Sequence, residues 1–516
     1  MNSFNLETIF CDGMVLQRNK NIRVWGECEK GTTITISINN HKAFTKSLSN
    51  RWEVILPPMK ACNSCQMEVW SDNPKDEVVL IKNVAIGEVW VAGGQSNMEF
   101  PLKYDTQGEE EIRNADNPYI RFFDCPKVSY EGQEQIDDYS DFGKWRICDE
   151  YNTPLFSAVG YYFAQDVYKS QGVPVGIVGC NWGGTTASTW LDKSYLQEDG
   201  ELNSYIKEYE EVINELDMEL YEKKYEASKM QLNSAEFKAV NEMLLAGTLT
   251  QEQIQGMLTA MSENPEAFMP LIGPKYFNRP GALYDNMLKK IAGYSIKGVI
   301  WYQGESDDVK ANIYSKLFEA VIKCWRNTWK EELPFLFVQL APFGSWLTST
   351  GKEYPILRQQ QEAVALKVPN VYMASIMDVG MEFDIHPKNK KPVGERLALL
   401  ARNKVYGEEL VSEAPEFVGF NLTHEKLTIF FRHVGAEFML KGHTVNGLQV
   451  YIDDIEIKDF ECELSQNKLL INCEMFKDNC EVEIRFAWLP YVEVNLYSSY
   501  GLPVKPFKIQ SSSKNR

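Results

Sequence analysis

The stretch Val89-Trp90-Val91-Ala92-Gly93-Gly94-Gln95-Ser96-Asn97-Met98 joins an apolar run to a glycine turn that carries a serine. The apolar run predicts a buried strand, and the turn places Ser96 where that strand gives way to the next element. A serine hydroxyl is a weak nucleophile unless a base, an orienting acid and oxyanion donors act with it. A short glycine-serine turn is by itself common and chemically silent, so its interpretation depends on the rest of the chain.

Histidine is scarce, with five residues in the chain, which makes the search for a base short. His386 lies in Asp384-Ile385-His386-Pro387, after the apolar run 371–377 and before a stretch with helical spacing. We expect His386 to be the general base at a strand-to-helix edge, and Asp384 to accept its other ring N–H. The alternative is a structural histidine, which is the ordinary expectation for the other four: His41, His424, His433 and His443.

Two further glycine blocks follow strand-like runs. Asn181-Trp182-Gly183-Gly184 comes after 175–179, and Gln303-Gly304-Glu305 comes after 296–302. A glycine pair lets backbone N–H groups approach a ligand closely, which suits an oxyanion site, and Gln303 could donate to the same oxygen. Ligand sites in parallel sheets lie at the carboxyl ends of strands, which is where these blocks fall.

Taken in order, these blocks resemble the sialate O-acetylesterase family of SGNH hydrolases. The blocks are Gly-Gln-Ser-Asn-Met (94–98), Asn-Trp-Gly-Gly (181–184), Trp-Tyr-Gln-Gly-Glu-Ser-Asp (301–307) and Asp-Ile-His-Pro (384–387). Residues 10–18 with Val24-Trp25-Gly26 resemble the family's amino-terminal β region, and Arg485-Phe486-Ala487-Trp488 with Gly501-Leu502-Pro503 its ending. The resemblance covers most of the chain apart from 195–275.

The resemblance implies a carbohydrate O-acetylesterase with a three-layer α/β/α catalytic domain built on a parallel sheet, acting without a metal or cofactor. Ser96 would be the nucleophile and His386 the base. The N–H groups of Ser96 and of Gly183 or Gly184, together with Gln303, would form the oxyanion site. The substrate would be an acetylated sugar.

The identity of the acid stays open between two residues. The broader SGNH pattern places the acid three residues before the histidine, where this chain has Phe383, and the nearest acidic residue is Asp384. Related acetylesterases use the glutamate of the Gln-Gly-Glu block, which is Glu305 here. The broader SGNH pattern also has an asparagine in its third conserved block, which this chain lacks. The resemblance therefore assigns the oxyanion role of that asparagine to Gln303. Asp384 is the preferred acid and Glu305 its rival.

The hydrophobic pattern predicts three regions: an amino-terminal β domain at 1–85, a catalytic domain at 86–406 and a carboxy-terminal β domain at 407–516. In the middle region, strand-like runs at 89–92, 175–179, 296–302, 335–340 and 371–376 alternate with helical stretches, which is typical of a parallel sheet covered by helices. One such stretch carries Ile313, Leu317, Val321 and Trp325 as an apolar stripe. Residues 34, 36 and 38 alternate with polar neighbours as in a half-buried strand.

A helical insertion at 200–268 interrupts the catalytic domain. Apolar residues recur at spacings of three and four from Leu202 to Leu220, which predicts an amphipathic helix with an acidic outer face. Thr250 and Gln253 predict a capping box for a further helix. The insertion is expected to be a lid or a subunit contact near the site, and in the second case the protein would be a homo-oligomer. The alternative is a helical segment that packs on the catalytic domain without a role in function.

Composition limits the partners. The chain has 516 residues and a net charge of −19, which disfavours nucleic acid and anionic membrane surfaces as partners. No apolar run is long enough to span a membrane, and no secretory signal is evident at the start. Eleven cysteines, an odd number, favour reduced thiols and a cytoplasmic location. Arg358 is a candidate cation for a substrate carboxylate, and a solvated helix arginine is the alternative.

Other functions make different demands on these residues. A glycosidase would use paired carboxylates and would leave the serine and glycine blocks without a role. A noncatalytic carbohydrate-binding protein would not need serine, histidine and acid together. Within the esterases, acetylated sialic acids and acetylated xylan or mannan oligosaccharides from plants both remain candidate substrates.

Overall fold

The computed structural model describes residues 2–133, 142–232, 234–264, 271–423, 426–477 and 481–511. The chain is a mixed α/β protein that divides into two compact units. The first unit comprises Met1–Ala246, Phe268–Gln303 and Lys316–Leu336, and the second comprises Gly247–Ala267, Gly304–Ser315 and Phe337–Arg516. The predicted insertion is thus shared between the units, and its last residues, 265–268, lie outside the described residues.

Short strands form the beginning of the first unit. They are β1 (Val15–Gln17), β2 (Ile22–Glu27), β3 (Thr33–Ile38), β4 (His41–Lys46), β5 (Arg51–Leu56) and β6 (Cys62–Ser71). β2 pairs with β5, and β3 pairs with β4 and β6, all antiparallel. Ile34, Ile36 and Ile38 are buried while their polar neighbours are half-buried, which confirms the predicted alternation.

The sheet that carries the serine turn is built around one long strand. Its members in the first unit are β7 (Val79–Gly94), β8 (Asp116–Asp124), β9 (Trp145–Asp149), β10 (Val175–Asn181) and β11 (Gly298–Tyr302), in the order β11-β7-β10-β8-β9. β7 is antiparallel to β6 and parallel to β1 over its first half, and parallel to β10 and β11 over its second. The predicted boundary at residues 85 and 86 lies inside β7.

The sheet is mixed, whereas the sequence pattern predicted a parallel one. β10 is parallel to both β7 and β8, but β9 runs antiparallel to β8. The register of that pair shifts between Asn117 and Arg121. β9 was not among the predicted strands because it alternates polar and apolar residues, which an antiparallel strand tolerates and a buried parallel strand does not.

Helices cover and connect these strands. They are α1 (Ser96–Glu99), α2 (Gly108–Arg113), α3 (Ala158–Gln171), α4 (Lys193–Gln197), α5 (Asn203–Asn214), α6 (Met218–Leu232), α7 (Ala235–Ala246), α8 (Gln251–Glu263), α9 (Lys289–Ile291), α10 (Tyr314–Trp329), α11 (Tyr354–Lys367) and α12 (Lys391–Leu400). In α10, the predicted apolar stripe is confirmed, since Leu317, Val321 and Trp325 are fully buried. None of the helices among the described residues is long and apolar enough to cross a membrane.

Tighter or wider helical turns complete this set. Turns of 3-10 helix lie at Leu102–Tyr104, Thr153–Leu155, Ala187–Trp190 and Glu305–Ile313, and π-helical turns lie at Tyr284–Leu288 and Ala401–Val405. The turn Glu305–Ile313 begins the segment of the second unit that follows β11 in the sequence.

The chain passes from the first unit to the second within β12 (Phe335–Val338). The remaining strands are β13 (Ser345–Trp346), β14 (Ser349–Thr350), β15 (Val371–Ala374), β16 (Glu416–Thr423), β17 (Lys426–Arg432), β18 (Phe438–Leu440), β19 (Leu448–Ile452), β20 (Ile455–Ile457), β21 (Glu461–Ser465), β22 (Lys468–Asn472), β23 (Val482–Phe486), β24 (Leu496–Ser498) and β25 (Phe507–Ser511). The sheets β16-β17-β22-β21 and β20-β19-β23-β25 share one apolar core that includes Ile429, Ile471, Ile484 and Phe486.

The helical insertion differs from the prediction in one respect. The apolar spacing from Leu202 to Leu220 predicted one helix, but the structure divides it into α5 and α6. Asp217 explains the break, since its Oδ1 accepts the N–H groups of Glu219 and Leu220 at 3.0 Å each and caps the start of α6. The capping box of Thr250 and Gln253 is confirmed at the start of α8.

Candidate active site

Ser96 lies at the end of β7, on a turn that only glycine permits. Gly94 has φ +133°, and a Cβ atom there would lie 2.1 Å from the Tyr302 carbonyl oxygen of β11. The N–H of Gln95 donates to that same oxygen at 3.0 Å. The neighbouring strand therefore fixes where β7 ends, and α1 begins at Ser96 with the serine half-buried.

The turn after β10 lies against the serine. The N–H of Trp182 donates to Gly94 O at 3.1 Å, and Asn181 Nδ2 donates to Ala92 O at 3.0 Å. A Cβ atom on Gly183 would lie 3.3 Å from the Ser96 Cβ atom. Gly184 has φ +73° and faces open space. The structure therefore brings together two of the predicted blocks, those of Ser96 and of Gly183 with Gly184.

Glu99 occupies one of the predicted oxyanion donors. Its Oε2 accepts the Gly183 N–H at 2.7 Å, and its Oε1 accepts from Lys127 Nζ, whose side chain is only 3% exposed. Asp124, buried beside this pair, has its pKa raised to about 6 by burial. Neither Glu99 nor Lys127 was predicted from the sequence, although Glu99 stands three residues after Ser96, on the same turn of helix. The Gly183 N–H, one of the two alternative glycine donors, thus already donates to Glu99.

Gln303 lies within the first unit at the end of β11. Its side chain is fully buried, and its Nε2 donates to the carbonyl oxygen of Thr185 at 3.1 Å. Thr185 follows Gly184 directly, so the Gln303 amide is anchored to the same turn. Ser96, Gly184 and Gln303, three predicted contributors to an oxyanion site, therefore belong to connected turns of one unit.

His386 and Asp384 lie in the second unit, between β15 and α12, as predicted from the apolar run and the helical spacing. Asp384 Oδ1 accepts the His386 main-chain N–H at 2.8 Å and lies 3.7 Å from Nδ1. The longer distance exceeds a hydrogen bond. Lys388 Nζ lies 3.0 Å from Asp384 Oδ2, and the Trp346 ring packs edge-on against the imidazole at 5.3 Å.

The imidazole of His386 is held uncharged. Burial lowers the pKa of His386 to about 3, and the positive charges of Lys390 and Lys388 act in the same direction. The neutral form is the one that can accept a proton, and the environment keeps His386 in that form down to acidic pH while lowering its proton affinity.

Glu305 begins the 3-10 turn that follows Gly304 in the second unit. Its side chain is buried, with 7% of the residue exposed, and Gly304 has φ +148°. A carboxylate in such a position needs polar partners to offset the cost of its burial. The rival acid therefore lies in the same unit as His386, as Asp384 does.

Arg358 does not take the role expected of it. The side chain is fully buried in α11, where Nε donates to Tyr354 O at 3.2 Å and the guanidinium donates to Leu489 O and Pro490 O. These contacts fasten α11 to the chain near residue 490, and they argue against both a contact with substrate and a solvated helix arginine. The local pattern gave no sign of this, because the acceptors lie about 130 residues further along the chain.

The described ranges contain no group of three or more His, Cys, Asp and Glu side chains placed to hold a metal ion.

The Glu99 pair yields a prediction about stability. Glu99→Ala should lower the free energy of unfolding by about 1–3 kcal/mol, because it leaves the buried Lys127 ammonium and the Gly183 N–H without this acceptor. The double variant Glu99→Ala/Lys127→Met should recover much of the loss. Denaturant unfolding measures both. Glu109→Ala, at an exposed surface pair, is the matched control. Additive losses in the double variant would contradict the interpretation.

His386 yields a second prediction, on pH. An unfolded histidine binds a proton near pH 6.5, whereas folded His386 does so only near pH 3. Between these values the unfolded state holds more protons, so stability falls as the pH falls, by about 1.5 kcal/mol from pH 6.5 to 5. His386→Gln should remove this contribution, which urea unfolding across that range measures. His443→Gln, at an exposed histidine, is the control. An unchanged pH dependence in His386→Gln would contradict a neutral buried imidazole.

Comparison with known proteins gives consistent results. Residues 272–402 match the model of the family "Carbohydrate esterase, sialic acid-specific acetylesterase". The chain is 26% identical to the mouse sialate O-acetylesterase over 77% of this chain and 72% of the relative. It is 24% identical to the human sialate O-acetylesterase over 98% of this chain and 92% of the relative.

A solved structure agrees with these relatives. The crystal structure of a carbohydrate acetylesterase from Xanthomonas citri is 28% identical, covers 99% of this chain and 100% of its own, and superposes with a TM-score of 0.76. Family model, curated relatives and solved structure thus point to the same kind of ester hydrolase. These comparisons indicate that the chain is a carbohydrate ester hydrolase similar to the sialate O-acetylesterases.

Proposed function

We propose that the protein is a carbohydrate O-acetylesterase in which Ser96 attacks the acetyl carbonyl and His386 acts as general base. The observation that carries this proposal is the packing of the Gly183 turn against Ser96, where a Cβ atom on Gly183 would lie 3.3 Å from the Ser96 Cβ atom. This packing brings the Gly183-Gly184 turn beside Ser96 at the carboxyl end of a buried strand. Acyl transfer needs a combination of nucleophile and oxyanion donors.

The oxyanion site is proposed to consist of the N–H groups of Ser96 and Gly184 and the amide of Gln303. Gly183 is left out because its N–H already donates to Glu99. The Gln303 amide donates to Thr185 O, which anchors it to the turn that contains Gly184. These donors would stabilise the negative charge of the tetrahedral intermediate.

The proton path starts at the neutral imidazole. His386 would take the Ser96 proton as Oγ bonds to the acetyl carbon, and would return it to the sugar oxygen as the ester C–O bond breaks. Water, deprotonated by the same imidazole, would then release acetate from the acetyl-serine. Because the pKa of His386 is lowered, the base would remain unprotonated through mildly acidic solution.

Asp384 is the proposed acid, with Glu305 as the alternative. Both residues are buried and lie in the same unit as His386. Asp384 Oδ1 is 3.7 Å from Nδ1, so a small rotation would be needed to form the hydrogen bond that stabilises an imidazolium. Asp384 is favoured because it is already bonded to the main chain of His386.

The proposal also covers the domain architecture, the cellular location and the oligomeric state. A three-layer α/β/α catalytic domain at 86–406 would lie between amino- and carboxy-terminal β domains, supported by the parallel pairing of β7, β10 and β11 and by the antiparallel sheets after residue 415. We place the enzyme in the cytoplasm on its cysteine usage, acting on acetylated sugars rather than on nucleic acid or membranes. A homo-oligomer remains part of the hypothesis.

Ser96→Ala and His386→Ala should each lower acetate release by about 10³-fold or more, because the two residues act as a unit. Acetate is measured from acetylated sialic acids and from acetylated xylan and mannan oligosaccharides, which also separates the candidate substrates. A fluorophosphonate should label the peptide that contains Ser96 in the wild type and not in Ser96→Ala.

A folded Ser96→Ala that keeps more than about a tenth of the activity would refute the nucleophile assignment. Cleavage of a glycosidic bond without acetate release would favour a glycosidase. Binding of the sugars without hydrolysis of any of them would favour a noncatalytic carbohydrate-binding protein.

Asp384→Asn should lower kcat by about 10² to 10⁴-fold, because it removes the charge that stabilises the His386 imidazolium while keeping the size of the side chain. Glu305→Gln should cost less. Steady-state rates at fixed pH measure both. The reverse order would assign the acid to Glu305, and near wild-type rates in both variants would mean that serine and histidine act as a dyad.

A further inference from the structure

The turn between α7 and α8 of the insertion lies in the second unit, against an ion pair next to His386. Gly247 has φ +70°, and a Cβ atom on it would lie 3.2 Å from Lys388 Cε, 3.8 Å from Lys388 Nζ and 3.9 Å from Asp384 Oδ2. The backbone of the turn therefore packs on the side chain of Lys388 and on the outer oxygen of Asp384. A side chain at position 247 would meet Lys388.

Lys388 and the main chain together hold both oxygens of Asp384. Lys388 Nζ lies 3.0 Å from Oδ2, and the His386 N–H holds Oδ1 at 2.8 Å. The Lys388 and Asp384 side chains are only 14% and 10% exposed, so water screens this pair weakly. With both oxygens engaged, Oδ1 stays 3.7 Å from Nδ1.

Burial, together with positive charge, lowers the pKa of His386. Asp384 lies on one side of the imidazole, while Lys388 and Lys390 contribute positive charge that disfavours the imidazolium. Trp346 adds an apolar edge to the ring. Lys388 acts twice, because it repels a proton on His386 directly and also retains the carboxylate that would attract one.

We propose that Lys388 is a positioning residue for the reaction: it holds Asp384 back from the His386 imidazole, and the insertion's turn at Gly247 fixes Lys388 in that position. This inference rests on the proposed function, since it takes His386 as the base. It gives the insertion a role in setting the proton affinity of the base, which a packed decoration would not have. Removing the Lys388 charge frees Asp384 to close on Nδ1 and makes the imidazole a stronger base.

The test follows the proton on His386 directly. The chain has five histidines, so carbon-13 labelling of the imidazoles gives a spectrum simple enough to titrate by NMR, and His386→Asn assigns the signal. Lys388→Met should raise the pKa of His386 by about one unit or more, and Lys388→Gln should do the same if the methionine variant folds poorly. Lys388→Arg should stay close to the wild type. Lys352→Met, at a lysine with 84% side-chain exposure in the same unit, is the matched control for the loss of a charge.

The role of the insertion is tested at Gly247. Gly247→Ala should shift the pKa of His386 in the same direction as Lys388→Met but less, because its Cβ atom pushes Lys388 away from Asp384. Gly407→Ala is the control, since Gly407 has φ +75° in the same unit and open space around its Cβ position. In kcat/KM profiles, the acid limb should move to higher pH in Lys388→Met and Gly247→Ala.

Each outcome has a distinct meaning. An unchanged pKa in Lys388→Met, or an equal shift in Lys352→Met, overturns the role of Lys388. A shift in Gly247→Ala no larger than that in Gly407→Ala overturns the role of the turn. The NMR titration needs no turnover, so it stays readable even if His386→Ala retains activity and the proposed function fails.

Discussion

The close approach of β11 to the end of β7 is the constraint on which the site depends. A Cβ atom on Gly93 would lie 2.8 Å from the Trp301 ring, and one on Gly94 would lie 2.1 Å from Tyr302 O. Neither position accepts a side chain, so close packing requires glycine at both positions as much as backbone conformation does. Because β7 ends there, Gln95 bonds back to β11 and Ser96 begins the next helix. The turn after β10 then has a fixed surface to pack against.

Several buried charges in each unit are held in ion pairs. Lys127 is paired with Glu99, Arg146 with Asp124 and Lys388 with Asp384. Removing one partner of such a pair is more damaging than removing both, which makes these pairs sensitive to single substitutions. His386 is the exception, since it is buried without charge. Because this environment disfavours a charged imidazole, the imidazolium formed during proton transfer must be stabilised by other groups.

Patterns local in the sequence predicted much of the fold and of the candidate site. The strands before Ser96, Gly183 and Gln303, the helix with Leu317 and Val321, and the capping box at Thr250 all depend on neighbouring residues and are confirmed. Glu99 with Lys127, and Arg358 with the carbonyls near residue 490, are contacts between distant segments, which periodicity does not reveal. Asp217 divides the first insertion helix by capping, a signal that the apolar spacing obscured.

The continuity of β7 has a consequence for how this enzyme can be divided. One strand of 16 residues pairs with β1 and β6 at its start and with β10 and β11 at its end. A fragment that begins at residue 86 would start in mid-strand and strip Ile86 and Gly87 of their partners on β1, exposing an unpaired edge that invites aggregation. Modular shuffling, whether in evolution or in the laboratory, must therefore transfer the amino-terminal strands together with the nucleophile.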